Sequence, residues 1–125
     1  MKLKQRKEAD VKKAVADYLK MRRVRFWRMN SGMLPMAYKG KSRFIHLCEP
    51  GTPDFLVLKP GYWTRSEPEC STAIWLEVKR PLGPKGGTGG SEQSPEQIAF
   101  EEEAKRNGER YHVVRSIDDL VRALA

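Results

Sequence analysis

A chain of 125 residues with 39% hydrophobic and 32% charged residues has the size and balance of one folded domain, spanning 1–125, that can own a core without disulfide staples. It lacks an apolar run of the roughly 18 residues that a membrane-spanning helix needs. The formal net charge is +8, and it is concentrated: residues 1–28 carry eleven Lys/Arg against three acids, while the other 97 residues hold thirteen of each.

The basic opening MKLKQRKEAD is followed by no apolar stretch of the kind a secretory signal requires. Without an export signal, Cys48 and Cys70 read as reduced thiols and the chain as intracellular. A concentrated cationic surface is what a phosphate backbone selects, through neutralisation and counterion release. The plainer alternative is a solvated, solubilising helix face. On the first reading Lys4, Arg6, Lys7 and Lys12 are candidate nucleic-acid contacts, joined further along by Arg80 and Lys85.

Glu8 to about Met21 predicts an amphipathic helix, because Val11, Ala14, Val15, Tyr18 and Leu19 follow the spacing of one buried stripe. Extended back one turn, that stripe reaches Glu8. Its carboxylate is either an exposed first-turn acid favoured by the helix dipole or a group aimed at a site beneath the helix. Val24 to Met29 alternates like a strand, with Val24, Phe26 and Arg28 on one face. Residues 30–50, with Asn30-Ser31-Gly32, Pro35 and Gly40, predict a long irregular connection containing a short strand at Phe44-Ile45.

Phe55 to Lys59 is a second strand and Ile74 to Arg80 a third, paired antiparallel through the polar residues 62–73. Trp27 and Trp75 are expected in the core. Residues 82–93, LGPKGGTGGSEQ, read as a flexible loop, a lid or a substrate contact rather than a phosphate cradle. Ser94-Pro95-Glu96-Gln97 opens a helix with Ser94 as N-cap, Pro95 at the first helical position and Gln97 closing a capping box. That helix runs to about Asn107 and stops at Gly108. Tyr111 to Arg115 is a fourth strand, and Ser116 caps a last helix with Ile117, Leu120, Val121 and Leu124 on its apolar side. The order α-β-β-β-α-β-α describes an α/β domain with one mixed sheet flanked by helices.

Chemistry gathers around IWLEVKRP, residues 74–81. Glu77 and Lys79 share one strand face and Val78 takes the other. They are either a same-face ion pair or a catalytic edge. Asp54 stands at the mouth of the neighbouring strand, after Pro53 has fixed the chain's approach. Two carboxylates plus a backbone carbonyl suit a hard cation such as Mg²⁺, and Lys79 can orient a water or offset developing negative charge. That is the chemistry of phosphodiester hydrolysis, with the cationic first helix supplying the substrate class.

The chain resembles the virus-type replication-repair nuclease (VRR-NUC) family of the PD-(D/E)xK superfamily. The resemblance spans nearly the whole sequence. It rests on Glu8 in EADVKKAV, on Gly51-x-Pro53-Asp54 and on Glu77-x-Lys79. Ser94-Pro95-x-x-Gln97 opening a helix and the closing YHVVRSIDDL complete it. It implies a restriction-endonuclease-like core, with Asp54, Glu77 and the Val78 carbonyl holding Mg²⁺ (or Mn²⁺) and Glu8 completing the acidic shell directly or through water. It further implies that Lys79 activates the attacking water and that Gln97 orients Lys79 or a metal-bound water.

Small free-standing members imply a homodimer that cuts Holliday junctions or other branched DNA in replication and repair, in a bacterial or phage-infected cell. A nuclease of flaps or linear duplex, and a non-catalytic DNA-binding module of the same fold, are the alternatives. Gly40-Lys41-Ser42 lacks the glycine and strand-to-helix setting of a nucleotide-binding loop. His46, Cys48, Cys70 and His112 lack zinc spacing. Trp63 reads either as a base-stacking residue or as packing under its loop.

Overall fold

The computed structural model describes residues 7–29, 33–46, 48–61 and 70–125. Helix α1 (Glu8–Met21) is followed by strand β1 (Arg25–Arg28), then by β2 (Met33–Tyr38) and β3 (Lys41–His46). Strands β4 (Phe55–Lys59) and β5 (Thr72–Val78), helix α2 (Pro95–Arg106), strand β6 (Arg110–Val114) and helix α3 (Ile117–Leu124) complete the chain. Four strands form one mixed sheet in the order β1-β4-β5-β6. The first two pairings are antiparallel and β5 with β6 is parallel. A parallel pairing requires a crossover, which α2 supplies. No described helix is long and apolar enough to cross a membrane.

Alternation along β5 sorts its side chains between two layers. Ile74, Leu76 and Val78 are fully buried with Phe55, Val57 and Val114, beneath Val11, Val15 and Leu19 of α1 and Leu120 and Ala123 of α3. Trp75, Glu77 and Lys79 face α2. There Trp75 meets Phe100 edge-on at 5.0 Å, and Phe100 meets Tyr111 at 6.3 Å. The α/β class, the mixed sheet and its flanking helices agree with the sequence reading. So do the antiparallel pairing of β4 with β5 and the starts of α2 and α3.

The segment expected to be irregular is instead a hairpin: β2 and β3 pair antiparallel from Met33↔His46 to Tyr38↔Lys41, apart from the main sheet. Its two-residue turn has positive φ at both Lys39 (+49°) and Gly40 (+73°), the tight turn that matches strand twist. Trp27 is not a core residue. It is 43% exposed, with the Arg25 guanidinium 5.1 Å from its ring. Trp75 is half-buried and donates from Nε1 to Glu109 at 2.9 Å. On α3, Ala123 is buried while Val121 is exposed, because the helix turns its Leu120 edge to α1. Lys4, Arg6, Asn30-Ser31-Gly32 and Trp63 lie outside the described residues.

Candidate active site

The site begins with a close approach. Gly51 is buried with φ +91°, and a Cβ there would lie 2.5 Å from the Glu96 carbonyl oxygen. Only glycine lets the loop before β4 touch the first turn of α2. That contact brings Asp54 to the same sheet end as Gln97. Asp54 then caps the end of β5: its Oδ2 accepts from the Val78 N–H at 2.7 Å. The next amide, Lys79 N–H, turns the other way and donates to the Val114 carbonyl at 3.0 Å. Because the N–H and C=O of one strand residue face the same neighbour, the Val78 carbonyl lies on the Asp54 side.

Glu77 and Lys79 are 2% and 8% exposed, so both charged groups sit inside the protein. Their side chains are 3.8 Å apart, too long for a hydrogen bond. Gln97 joins them. Its Oε1 accepts from Lys79 Nζ at 2.8 Å, and its Nε2 donates to Glu77 Oε1 at 2.9 Å. The same Oε1 accepts from the Ser94 N–H at 2.9 Å while Ser94 Oγ accepts from the Gln97 N–H at 3.2 Å. The capping box therefore does more than start α2: it fixes the rotamer of a side chain that holds both charged groups of β5.

Glu77 Oε2 is buried and meets no hydrogen-bond partner among the described residues. An unsatisfied buried carboxylate oxygen is costly. Burial raises the Glu77 carboxyl to about 8, with the nearby Asp54 charge adding to the rise and Lys79 opposing it. Among the described residues no three His, Cys, Asp or Glu side chains converge as a cation-binding group. The Asp54 and Glu77 carboxylates are close neighbours, and the Val78 carbonyl is on the Asp54 side of its strand. Such a sparse set fits Mg²⁺ or Mn²⁺, which keeps several waters of its own, and a cation would give Glu77 Oε2 the partner it lacks.

Lys12, expected as a nucleic-acid contact, has its Nζ 3.1 Å from Asp54 Oδ1 and 3.2 Å from Glu8 Oε1. Burial works to lower the Lys12 ammonium, yet Asp54 and Glu8 outweigh it and hold it above its usual value. Glu8 is at the near end of the buried stripe, but its side chain is 41% exposed and reaches the acidic cluster only through Lys12. Sequence spacing missed this role because a lysine four residues after a glutamate reads as a surface pair.

Arg80 is likewise turned inward. Its Nε donates to the Thr88 carbonyl at 3.2 Å and its guanidinium fills the space beside Gly89. Arg115 donates to the Arg80 carbonyl at 3.0 Å, to Ser91 Oγ at 2.8 Å and to the Ser91 carbonyl at 3.0 Å. The glycine-rich stretch expected to be flexible is thus tied down at Thr88 and Ser91 by two arginines. Lys7 and Lys85 are exposed, as a phosphate contact requires. A groove of about 580 Å³ between α1 and β1 is lined by Lys12, Lys13, Lys20 and Arg28 together with the acids Glu8 and Asp17. Family models, curated proteins and solved structures offer no match to this chain, so function has to be read from the side chains themselves.

Proposed function

We propose that this chain is a divalent-metal-dependent endonuclease that hydrolyses DNA phosphodiester bonds on a restriction-endonuclease-like core of the VRR-NUC kind. One observation carries the reading: Glu77, with an unpartnered buried oxygen, faces Asp54 at a strand end where Gln97 also holds a buried lysine. A buried acid–lysine pair is weak as a device for stability, since desolvation offsets the attraction. Perturbed titratable groups held by a dedicated positioning residue are what catalysis uses.

Asp54, Glu77 and the Val78 carbonyl would hold the cation, Mg²⁺ or Mn²⁺. When bound, such an ion offsets charge on a phosphoryl oxygen and acidifies a water. The chain's own residues do the rest. Lys79 gives one N–H to Gln97 and keeps two donors to orient a water or meet negative charge as it develops. Gln97 stops that ammonium from collapsing onto Glu77. Lys12 pairs with Asp54 and links it to Glu8. The groove lined by Lys12, Lys13, Lys20 and Arg28, with Glu8 and Asp17, offers cations to a DNA backbone.

Branched DNA, Holliday junctions included, is the proposed substrate class. A homodimer with two-fold-related sites suits a four-way junction. The test is cleavage of an end-labelled four-way junction and a matched linear duplex, with Mg²⁺, Mn²⁺ or chelator, by the wild type and Lys79→Met. Metal-dependent cutting of the junction, lost in the variant, is expected. Equal cutting of the linear duplex removes the branch preference, and tight binding without cutting under either metal removes the nuclease.

A further inference from the structure

The β2–β3 hairpin carries side chains that a folded domain normally hides. Tyr38 is 70% exposed, Phe44 67% and Met36 46%. The register places Tyr38 opposite Lys41 and Met36 opposite Arg43, so an aromatic ring, a thioether and two cations share one face near the tip. At the turn, Lys39 Nζ stands 5.5 Å from the Tyr38 ring. Phe44, opposite Pro35, stands on the other face; the exposed Tyr38 and Met36 side chains mark a surface that something covers.

Charge identifies the cover. Residues 33–46 hold Lys39, Lys41 and Arg43 and no acid, and from Asp17 to Glu49 the chain has eight Lys/Arg with no acid between. A second copy packing hairpin on hairpin would set three cations against three, which like-charge repulsion opposes. Nucleic acid supplies both complements: phosphates for the lysines and arginine, and a π-face for Tyr38.

Position strengthens the case. The chain leaves the sheet at Met29, whose N–H donates to the Asp54 carbonyl at 2.8 Å. It returns through a turn closed by Thr52 onto the Glu49 carbonyl, two residues before Asp54. The described flanks of the hairpin, Met29 and Thr52, therefore lie at the sheet end that carries Asp54 and Glu77. Six-residue strands give it a reach of about 20 Å.

We infer that the hairpin is a nucleic-acid-contacting finger: Lys39, Lys41 and Arg43 seat on the backbone and Tyr38 stacks on a base left unpaired beside the bond to be cut. Bases in an intact duplex already stack on one another, so this finger selects branch points, flaps and other DNA with unpaired bases. It rests on the proposed nuclease reading for the bond beside it; the binding itself does not need that reading.

The test is fluorescence anisotropy in chelator, where nothing is cut, with a branched probe holding unpaired bases and a blunt duplex. The proteins are the wild type, Tyr38→Ala, Tyr38→Phe and Lys41→Ala/Arg43→Ala. Tyr38→Ala should weaken the branched probe about tenfold, the worth of one stacked base, and leave the blunt duplex almost unchanged. Tyr38→Phe keeps the ring and should bind like the wild type. The double variant should weaken both probes and lower the salt slope by about 1.5 to 2.

Wild-type affinity for the branched probe in Tyr38→Ala and in the double variant, with unchanged melting temperatures, overturns the inference. So does a dimer that becomes monomeric in Tyr38→Ala with DNA affinity intact, since the patch would then belong to a second copy. Hairpin-dependent binding without cutting in any metal would sustain the finger and remove the nuclease. Cutting that ignores the hairpin variants would do the reverse.

Discussion

The two sides of strand β5 differ in what they are built for. Toward α1 and α3 it presents Ile74, Leu76 and Val78, all fully buried in an apolar layer. Toward α2 it presents Trp75, Glu77 and Lys79, and the last two are buried ionisable groups. The first side stabilises: removing a leucine there leaves a cavity and strips its neighbours of contacts. The second side costs desolvation and leaves one carboxylate oxygen unpartnered. One strand, alternating residue by residue, thus separates the groups that hold the fold from the groups that we propose do chemistry.

The sharpest way to break that comparison is a pair of substitutions. Lys79→Met should lower metal-dependent cleavage by about 10²–10³-fold, the loss seen when a preorganised electrostatic donor is removed. Its melting temperature near neutral pH should stay near wild type, because burial already holds a proton on Glu77 there and no stranded charge remains. Leu76→Ala should do the opposite. We expect a loss of about 2–5 kcal/mol in urea unfolding, with cleavage largely kept wherever the protein stays folded. If Lys79→Met unfolds as readily as Leu76→Ala, the polar side is structural and the contrast fails.

A smaller effect is expected at Lys12, whose ammonium occupies the Asp54–Glu8 edge where it competes with any bound cation. Lys12→Met should raise Mn²⁺ affinity about fivefold in calorimetry, in line with roughly 1 kcal/mol for a partly exposed pair. Unchanged or weaker binding would mean that Lys12 helps to assemble the site.

The smallest effect is a pH slope. Glu77 is raised from 4.5 to about 8 by burial and by Asp54, so between those values the folded state holds a proton that the unfolded state has released. Its contribution to stability is complete below about pH 4.5 and is lost as pH rises through about 8. Thermal melting in chelator should show this loss, Mg²⁺ should offset it increasingly as pH rises, and Glu77→Gln should flatten it. A wild-type profile as flat as that of Glu77→Gln would contradict the assignment.

Much of this was legible beforehand, for identifiable reasons. Strands β4 and β5 announce themselves through apolar runs between turns, and the Ser94 capping box marks both the start of α2 and the direction of Gln97. Asp54, Glu77, Lys79 and Gln97 were foreseen at one sheet end, and that is where they stand. The hairpin was not foreseen. MLPMAY and KSRFIH show no clear apolar alternation, and Pro35 argues against a strand; Lys39-Gly40 between two six-residue runs was the available signal.

The ion pairs of Lys12 and the Thr88 contact of Arg80 had no sequence signal. Composition shows that a cation is present, but only tertiary structure shows whether a carboxylate or a carbonyl claims it first. Arg115 left no sequence signal for its grip on Ser91. Trp27 looked like core by residue type, yet it lies on β1 at the sheet's edge.

The central claim is that Asp54 and Glu77 form a divalent-cation site, and calorimetric titration of Mg²⁺ into the wild type and Asp54→Asn at pH 8 tests it most directly. A saturable heat in the wild type that disappears in Asp54→Asn is the expected result. No saturable heat in the wild type, or equal binding by the variant, would contradict the claim and leave Glu77 and Lys79 as a buried ion pair.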